Sequence, residues 1–139
     1  MSNVVVFADG ACRGNPGPAS YGLVAYHNNK IIHTESVYIG EATNNIAEYK
    51  ALIAALQYAN KLQHHESEIK MDSQLVVFQM NGLFRVKHPD LLKLYTEAID
   101  ILGQIDNPVT ITHIRRWFNV EADLKANLAL DKQLKESDV

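Results

Sequence analysis

The sequence is poor in cysteine: Cys12 is the only one among 139 residues. A single thiol cannot close an internal disulfide, so a disulfide-stapled scaffold is excluded and a cytoplasmic setting is expected. Long apolar runs are missing too. No stretch approaches the ~20 consecutive apolar residues of a membrane span, and residues 1–3 lack the basic and apolar regions of a signal peptide. Neither membrane association nor secretion is expected. The chain has no internal repeat and no low-complexity tract. It also lacks an excess of positive charge, with 13 Lys plus Arg against 16 Asp plus Glu and a net charge of -3. That balance argues against coating nucleic acid by bulk electrostatics. A local nucleic-acid site stays open, because acids gathered around divalent cations change what a polyanion meets.

What is present is an ordinary globular composition, 47% hydrophobic and 21% charged. A chain of this size removes roughly two-thirds of its unfolded surface from water, enough for a core without metal or disulfide staples. One domain over residues 1–135 is expected, with a polar tail at 136–139 and no obligate protein partner, hence a monomer. Val4 to Asp9 is a β-branched run ending at Gly10. Ala19 to His27 and Lys30 to Ile39 are further strands, separated by the turn pair Asn28-Asn29. From Asn44 to Leu62 the period becomes helical behind the capping candidates Thr43 and Asn44. Glu68 to Asp72 predicts a short strand and Ser73 to Met80 a helix. Pro89 opens a helix reaching Gln104, Val109 to Arg116 predicts a last strand, and Val120 to about Leu134 a last helix. The order β-β-β-α-β-α-α-β-α predicts an α/β fold: a five-stranded mixed sheet, antiparallel meander first, with helices on both faces.

Four acids occupy odd positions. Asp9 ends an apolar strand on the face of Val5 and Phe7, although a turn aspartate capping Gly10 explains it as well. Glu48 lies four residues before Leu52 and seven before Ala55, on the buried face of its helix; the helix dipole explains its place along the axis but not that face. Asp72 stands where a strand gives way to a helix, the place of an N-cap and equally of a ligand site in open α/β sheets. Asp123 lies in the first turn of the last helix, on the face of Ala126 and Leu130. Together they place carboxylates at two strand ends and two helix starts able to pack beside them. Converging carboxylates repel one another unless a cation neutralises them. Oxygen ligands without Cys or His suit Mg²⁺ or Mn²⁺, and two such ions ~4 Å apart serve phosphodiester cleavage.

Asp9-Gly-Ala-Cys-Arg-Gly-Asn-Pro-Gly-Pro-Ala, Thr43-Asn-Asn-Ile-Ala-Glu48, Asp72-Ser-Gln and Asn119-Val-Glu-Ala-Asp123 resemble the successive signatures of type 1 ribonuclease H. The resemblance runs in order over nearly the whole chain and is closest to the short archaeal and Bacillus-like branch, since the 51-residue step from Asp72 to Asp123 leaves no room for a basic helical protrusion. It implies hydrolysis of the RNA strand of RNA/DNA hybrids by two ions, Mg²⁺ or Mn²⁺, giving 5′-phosphate and 3′-hydroxyl ends. Asp9, Glu48, Asp72 and Asp123 are then the metal ligands. Asn15, Asn44, Asn45 and Gln74 meet the hybrid's minor groove, with Glu48 near the 2′-hydroxyl, while Thr43 and Asn15 hold a DNA phosphate. Gly10, Cys12 and Gly14 belong to the substrate-facing loop. The alternative is a catalytically weak or inactive hybrid-binding module with the same fold; ATPases and DNA-cutting nucleases share the architecture as well.

Some residues depart from that pattern. No histidine lies between Arg115 and Asp123, where the longer branch carries an auxiliary one; Arg115, Arg116 and Asn119 are the candidate replacements, and His113 falls within the expected strand. Trp117 and Phe118 stand where polar residues are expected. Buried, they are core or a dimer contact, the reading preferred here; exposed, they could stack on a sugar or base. Phe78 is apolar on the face of Gln74, Lys125 basic at an expected apolar position, and His64-His65 a helix-end pair serving the dipole.

Overall fold

The computed structural model describes residues 3–62 and 65–137; His64 and residues 138–139 of the expected tail lie outside the described residues. Strands β1 (Asn3–Cys12), β2 (Gly17–His27) and β3 (Lys30–Ala42) form the expected meander. Asn28 and Asn29 both take positive φ, 53° and 65°, the twist that a two-residue hairpin turn needs and that asparagine tolerates. Helix α1 (Asn44–Lys61) follows, then β4 (Glu66–Met71), α2 (Gln74–Met80), α3 (Pro89–Gln104), β5 (Val109–His113) and α4 (Val120–Ser137). The five strands form one sheet in the order β3-β2-β1-β4-β5. β4 pairs in parallel with both β1 and β5.

Period-2 alternation decides what each face holds. Val4, Val6 and Ala8 of β1, with Leu23 of β2 and Ile69 and Met71 of β4, are buried against Leu52, Ala55 and Leu56 of α1. Side chains of this size contribute about 1.5–3 kcal/mol each when fully buried. Helix α3 covers the outside of α1, which is why α1 is buried around most of its circumference. The opposite face is covered by α4, whose Ala122, Ala126, Ala129 and Leu130 are buried. It lies so close to β2 that a Cβ on Gly22 would come within 2.3 Å of the Ala122 carbonyl oxygen. Two hydroxyls fix it there: Ser20 Oγ donates to Ala126 O and Ser36 Oγ to Lys125 O.

Several boundaries differ from expectation. β1 runs past Asp9 to Cys12 and β3 past Ile39 to Ala42, because their ladders with β2 continue to Cys12↔Ala19 and Gly17↔Ala42. The last strand ends at His113 rather than Arg116, because its partner β4 ends at Met71; after Ile114 N donates to Met71 O at 2.9 Å, no ladder remains. Residues Arg116–Phe118 instead form a single 3₁₀ turn. The last helix runs past Leu134 to Ser137. Ser73, not Asp72, caps α2, accepting from Val76 N at 3.3 Å.

Candidate active site

Register places the first two acids. Ala8 is paired with Met71 at the end of the parallel β1/β4 ladder, so the next residues, Asp9 and Asp72, lie side by side just past it, Asp9 still paired with Gly22 of β2. The third acid comes from α1, which crosses this point in contact with β1: a Cβ on Gly10 would lie 2.4 Å from the Ala47 carbonyl carbon and the Glu48 nitrogen. Only glycine permits that approach. It lets Gly10 N–H donate to Glu48 Oε1 and aims the carboxylate at Asp9. Asp9, Glu48 and Asp72 each present an oxygen within 4.8 Å of the others. Asp9 is 5% exposed and Glu48 4%. The fourth acid, Asp123, is exposed in the first turn of α4 and lines the same cavity, of about 350 Å³, from its rim. The shared helix face with Leu130 carries it over the sheet edge rather than into the core.

Other side chains hold these acids in place. Asn119 is fully buried and donates both to Ala8 O at 2.9 Å and to Asp72 Oδ2 at 3.1 Å. Because Ser73 takes over the capping, the carboxylate of Asp72 is left for the cavity. Asn127, one turn beyond Asp123, donates to its Oδ1 at 3.1 Å and also lines the cavity. Sequence reading missed Asn127, although its i+4 spacing from Asp123 was a usable signal. Burial above all drives the Asp9 carboxyl well above the ordinary carboxylate range, and the charges of Glu48 and Asp72 add to the rise. Burial also raises Glu48, against the pull of the Gly10 N–H, and Asp72, against the hydrogen bond from Asn119 and the charge of Arg116. Three acids that resist ionisation together, with no basic residue bonded between them, form a donor set suited to a divalent cation.

The other expected residues divide into two groups. Gly10, Cys12, Asn44 and Arg116 line the acidic cavity. Asn15, Thr43 and Asn45 line a neighbouring cavity of about 300 Å³ together with His88, which caps α3 and which sequence reading did not single out. Asn15 Oδ1 accepts from Asn44 N at 3.0 Å and so ties the glycine loop to the start of α1. Gly14 takes φ +97° in that loop. Thr43 caps α1 through its oxygen, accepting from Ile46 N at 3.3 Å, which leaves its hydroxyl proton for another acceptor. Gln74 is exposed at the first turn of α2 and lines neither cavity.

Several expectations are corrected. Trp117 and Phe118 are 66% and 65% exposed, neither of them core; the 3₁₀ turn carries them off the end of β5. Arg115 lies 5.6 Å over the Trp117 ring and does not reach the acidic cavity. His65 meets the His27 ring edge-on at 5.1 Å, beyond the end of α1, and does more than serve a dipole. Phe78 packs edge-on against Phe84 and His113 at the core's border. Lys125 rests its Cβ against Gly22, so its stem fills the apolar place.

A family described as reverse transcriptase-like matches residues 7–129. The chain is 47% identical over 130 residues to the bifunctional protein Rv2228c of Mycobacterium tuberculosis, covering 92% of this chain and 35% of that protein. It is 44% identical over 129 residues to ribonuclease HI of Halobacterium salinarum, covering 92% of this chain and 64% of the other. The chain thus spans only part of these curated relatives. Among solved structures, the N-terminal RNase H domain of Rv2228c superposes with a TM-score of 0.89 at 44% identity, covering 99% of both chains. LC11-RNase H1 in complex with an RNA/DNA hybrid gives 0.89 at 40% identity, covering 95% of this chain and 99% of that one.

Proposed function

Because the chain belongs to the reverse transcriptase-like family and, within it, to type 1 ribonuclease H, we propose that it is an endonuclease that hydrolyses the RNA strand of RNA/DNA hybrids. The observation that carries this reading is the meeting of Asp9, Glu48 and Asp72 oxygens within 4.8 Å, with Asp123 on the rim of the same cavity. An all-carboxylate set without Cys or His suits Mg²⁺ or Mn²⁺, and two ions are proposed. When bound, such a pair supplies the activated water and the charge stabilisation of phosphodiester cleavage. A water oxygen bonds to phosphorus as the P–O3′ bond breaks, and the departing 3′ oxygen takes up a proton. The products are a 5′-phosphate and a 3′-hydroxyl.

The chain's own residues hold and orient. Gly10 N–H fixes Glu48, Asn119 fixes Asp72 and Asn127 fixes Asp123. Arg116, on the cavity wall, offsets part of their charge and is a stronger auxiliary candidate than Arg115. The amide side chains of Asn15, Asn44, Asn45 and Gln74 suit hydrogen bonding across a minor groove, with Glu48 near the 2′-hydroxyl. Thr43, which caps α1, and Asn15, bonded to Asn44 N beside it, suit a DNA phosphate, and Cys12 at the end of β1 and Gly14 in the loop after it shape the approach. A cytoplasmic monomer whose single domain spans 1–135 completes the proposal. No helix among the described residues is long and apolar enough to cross a membrane.

The test is cleavage of an end-labelled RNA/DNA hybrid in Mg²⁺, Mn²⁺ or EDTA, beside RNA/RNA and DNA/DNA duplexes. Metal-dependent cutting of the hybrid's RNA strand alone is expected. Hybrid binding without cutting under any metal would leave the inactive-module reading instead.

A further inference from the structure

The turn Arg116–Phe118 joins two cavities. Its first residue lines the acidic one, while its last lines a second cavity of about 400 Å³ on the α4 side of the sheet. Trp117 stands exposed between them. The turn is closed by Phe118 N donating to Arg115 O and Asn119 N to Arg116 O, both at 2.9 Å, and anchored through buried Asn119 to β1 and Asp72. Two large aromatic rings are thus held in water on a fixed support, whereas apolar groups of this size ordinarily fold inward.

The second cavity has the chemistry of a nucleotide site. Phe7 and Tyr26 form an edge-to-face pair at 5.7 Å on its floor, and Phe118 forms one wall. Lys70 Nζ lies 5.6 Å over the Phe7 ring, with Glu68 Oε1 3.8 Å from it. Asn29 adds an amide and Glu121 a carboxylate to the lining. The volume falls in the range of small-ligand pockets, roughly 300–1,000 Å³. The Arg115 guanidinium lies over the neighbouring Trp117 ring, 5.6 Å from its centroid. Aromatic faces interleaved with cations are the means by which proteins hold unpaired nucleotides, since bases inside a duplex have no free face to offer.

We propose that the Trp117–Phe118 turn and the Phe7/Tyr26 cavity behind it bind an unpaired nucleotide of the RNA strand whose scissile phosphate lies among the acids. Hybrids carrying a single-stranded RNA flap next to the cleavage point are then favoured over fully paired ones. This inference rests on the functional reading above, because it places the RNA strand in the acidic cavity. Cations set over aromatic rings, Arg115 over Trp117 and Lys70 over Phe7, favour a nucleic-acid strand over an apolar protein segment.

Trp117 is the only tryptophan in the chain, so its emission reports stacking directly. The full-length protein in EDTA is titrated with a blunt RNA/DNA hybrid and with the same hybrid carrying an unpaired RNA flap. The flap is expected to tighten binding about tenfold and to quench the emission. Trp117→Ala and Phe118→Ala, followed by anisotropy of labelled hybrid, are expected to erase the flap's advantage while cutting of the blunt hybrid in Mg²⁺ continues at the wild-type rate. Equal affinity for both hybrids without quenching, or a flap advantage that survives both substitutions, overturns the proposal with the functional reading intact. Failure to cut the blunt hybrid overturns the functional reading and this inference together. Sedimentation that shows a dimer abolished by Trp117→Ala assigns the surface to a second copy and also overturns it.

Discussion

Asn127 shows how much of a site can rest on a residue that holds another in place. Its amide holds Asp123, the one acid of the four that is exposed and therefore least constrained by packing. Asn127→Ala is expected to weaken metal-dependent activity about 10- to 100-fold, the usual effect of removing a group that orients a ligand. The melting temperature should stay almost unchanged, since the side chain is partly exposed. A metal titration of activity beside a thermal scan checks both halves. At this scale the sequence was legible where a side chain contradicts its surroundings. Glu48 on an apolar helix face and Asp9 behind the apolar run of β1 marked themselves as out of place. The exposure of Trp117 and Phe118 was not legible, because it depends on where the chain leaves the sheet. Ser73 displaced Asp72 as the helix cap because two adjacent capping residues give the same local signal.

Between elements, the decisive contact is the crossing of β1 and α1. Gly10 lets the two backbones touch, and that contact delivers Glu48 to the strand-borne acids. Gly10→Ala is expected to cost about 1–3 kcal/mol of stability, as overpacking of a tight contact does, and to lower activity by displacing Glu48. Denaturant midpoints and cleavage rates measured together would show it; a variant of wild-type stability and rate would contradict so close a crossing. Thr43→Ala, which removes the cap of the same helix, should cost roughly 1 kcal/mol. Element identities were readable because each has its own period: alternation in β1 and β2, helical spacing in α1, and proline at the start of α3. The ends of β5 and α4 were less so. A strand stops where its neighbour stops, and β4 ends at Met71 for reasons that lie in α2, not in the residues after His113.

The molecule as a whole gathers like charges from β1, α1 and the residue after β4, and its stability should register their repulsion. In the metal-free protein, burial and mutual repulsion raise the pKa of Asp9, Glu48 and Asp72, so the folded state keeps protons that the unfolded chain releases above about pH 4. Their contribution is complete below the ordinary carboxylate range and is lost as pH climbs through the raised values. In EDTA the protein is therefore expected to unfold at lower urea concentration near pH 9 than near about pH 6. Divalent metal binds the ionised acids, so it should raise the melting temperature and flatten that pH dependence. No metal-induced shift would count against a preformed cluster. The claim on which everything else depends is that these acids make the chain a hybrid-specific nuclease. Its most direct test compares wild type with Asp72→Asn on an RNA-labelled RNA/DNA hybrid in Mg²⁺, with hybrid binding measured in parallel. The account predicts that wild type cuts the RNA strand, while the variant folds and binds the hybrid but cuts at least about a hundredfold more slowly. A variant that cuts at the wild-type rate would contradict it.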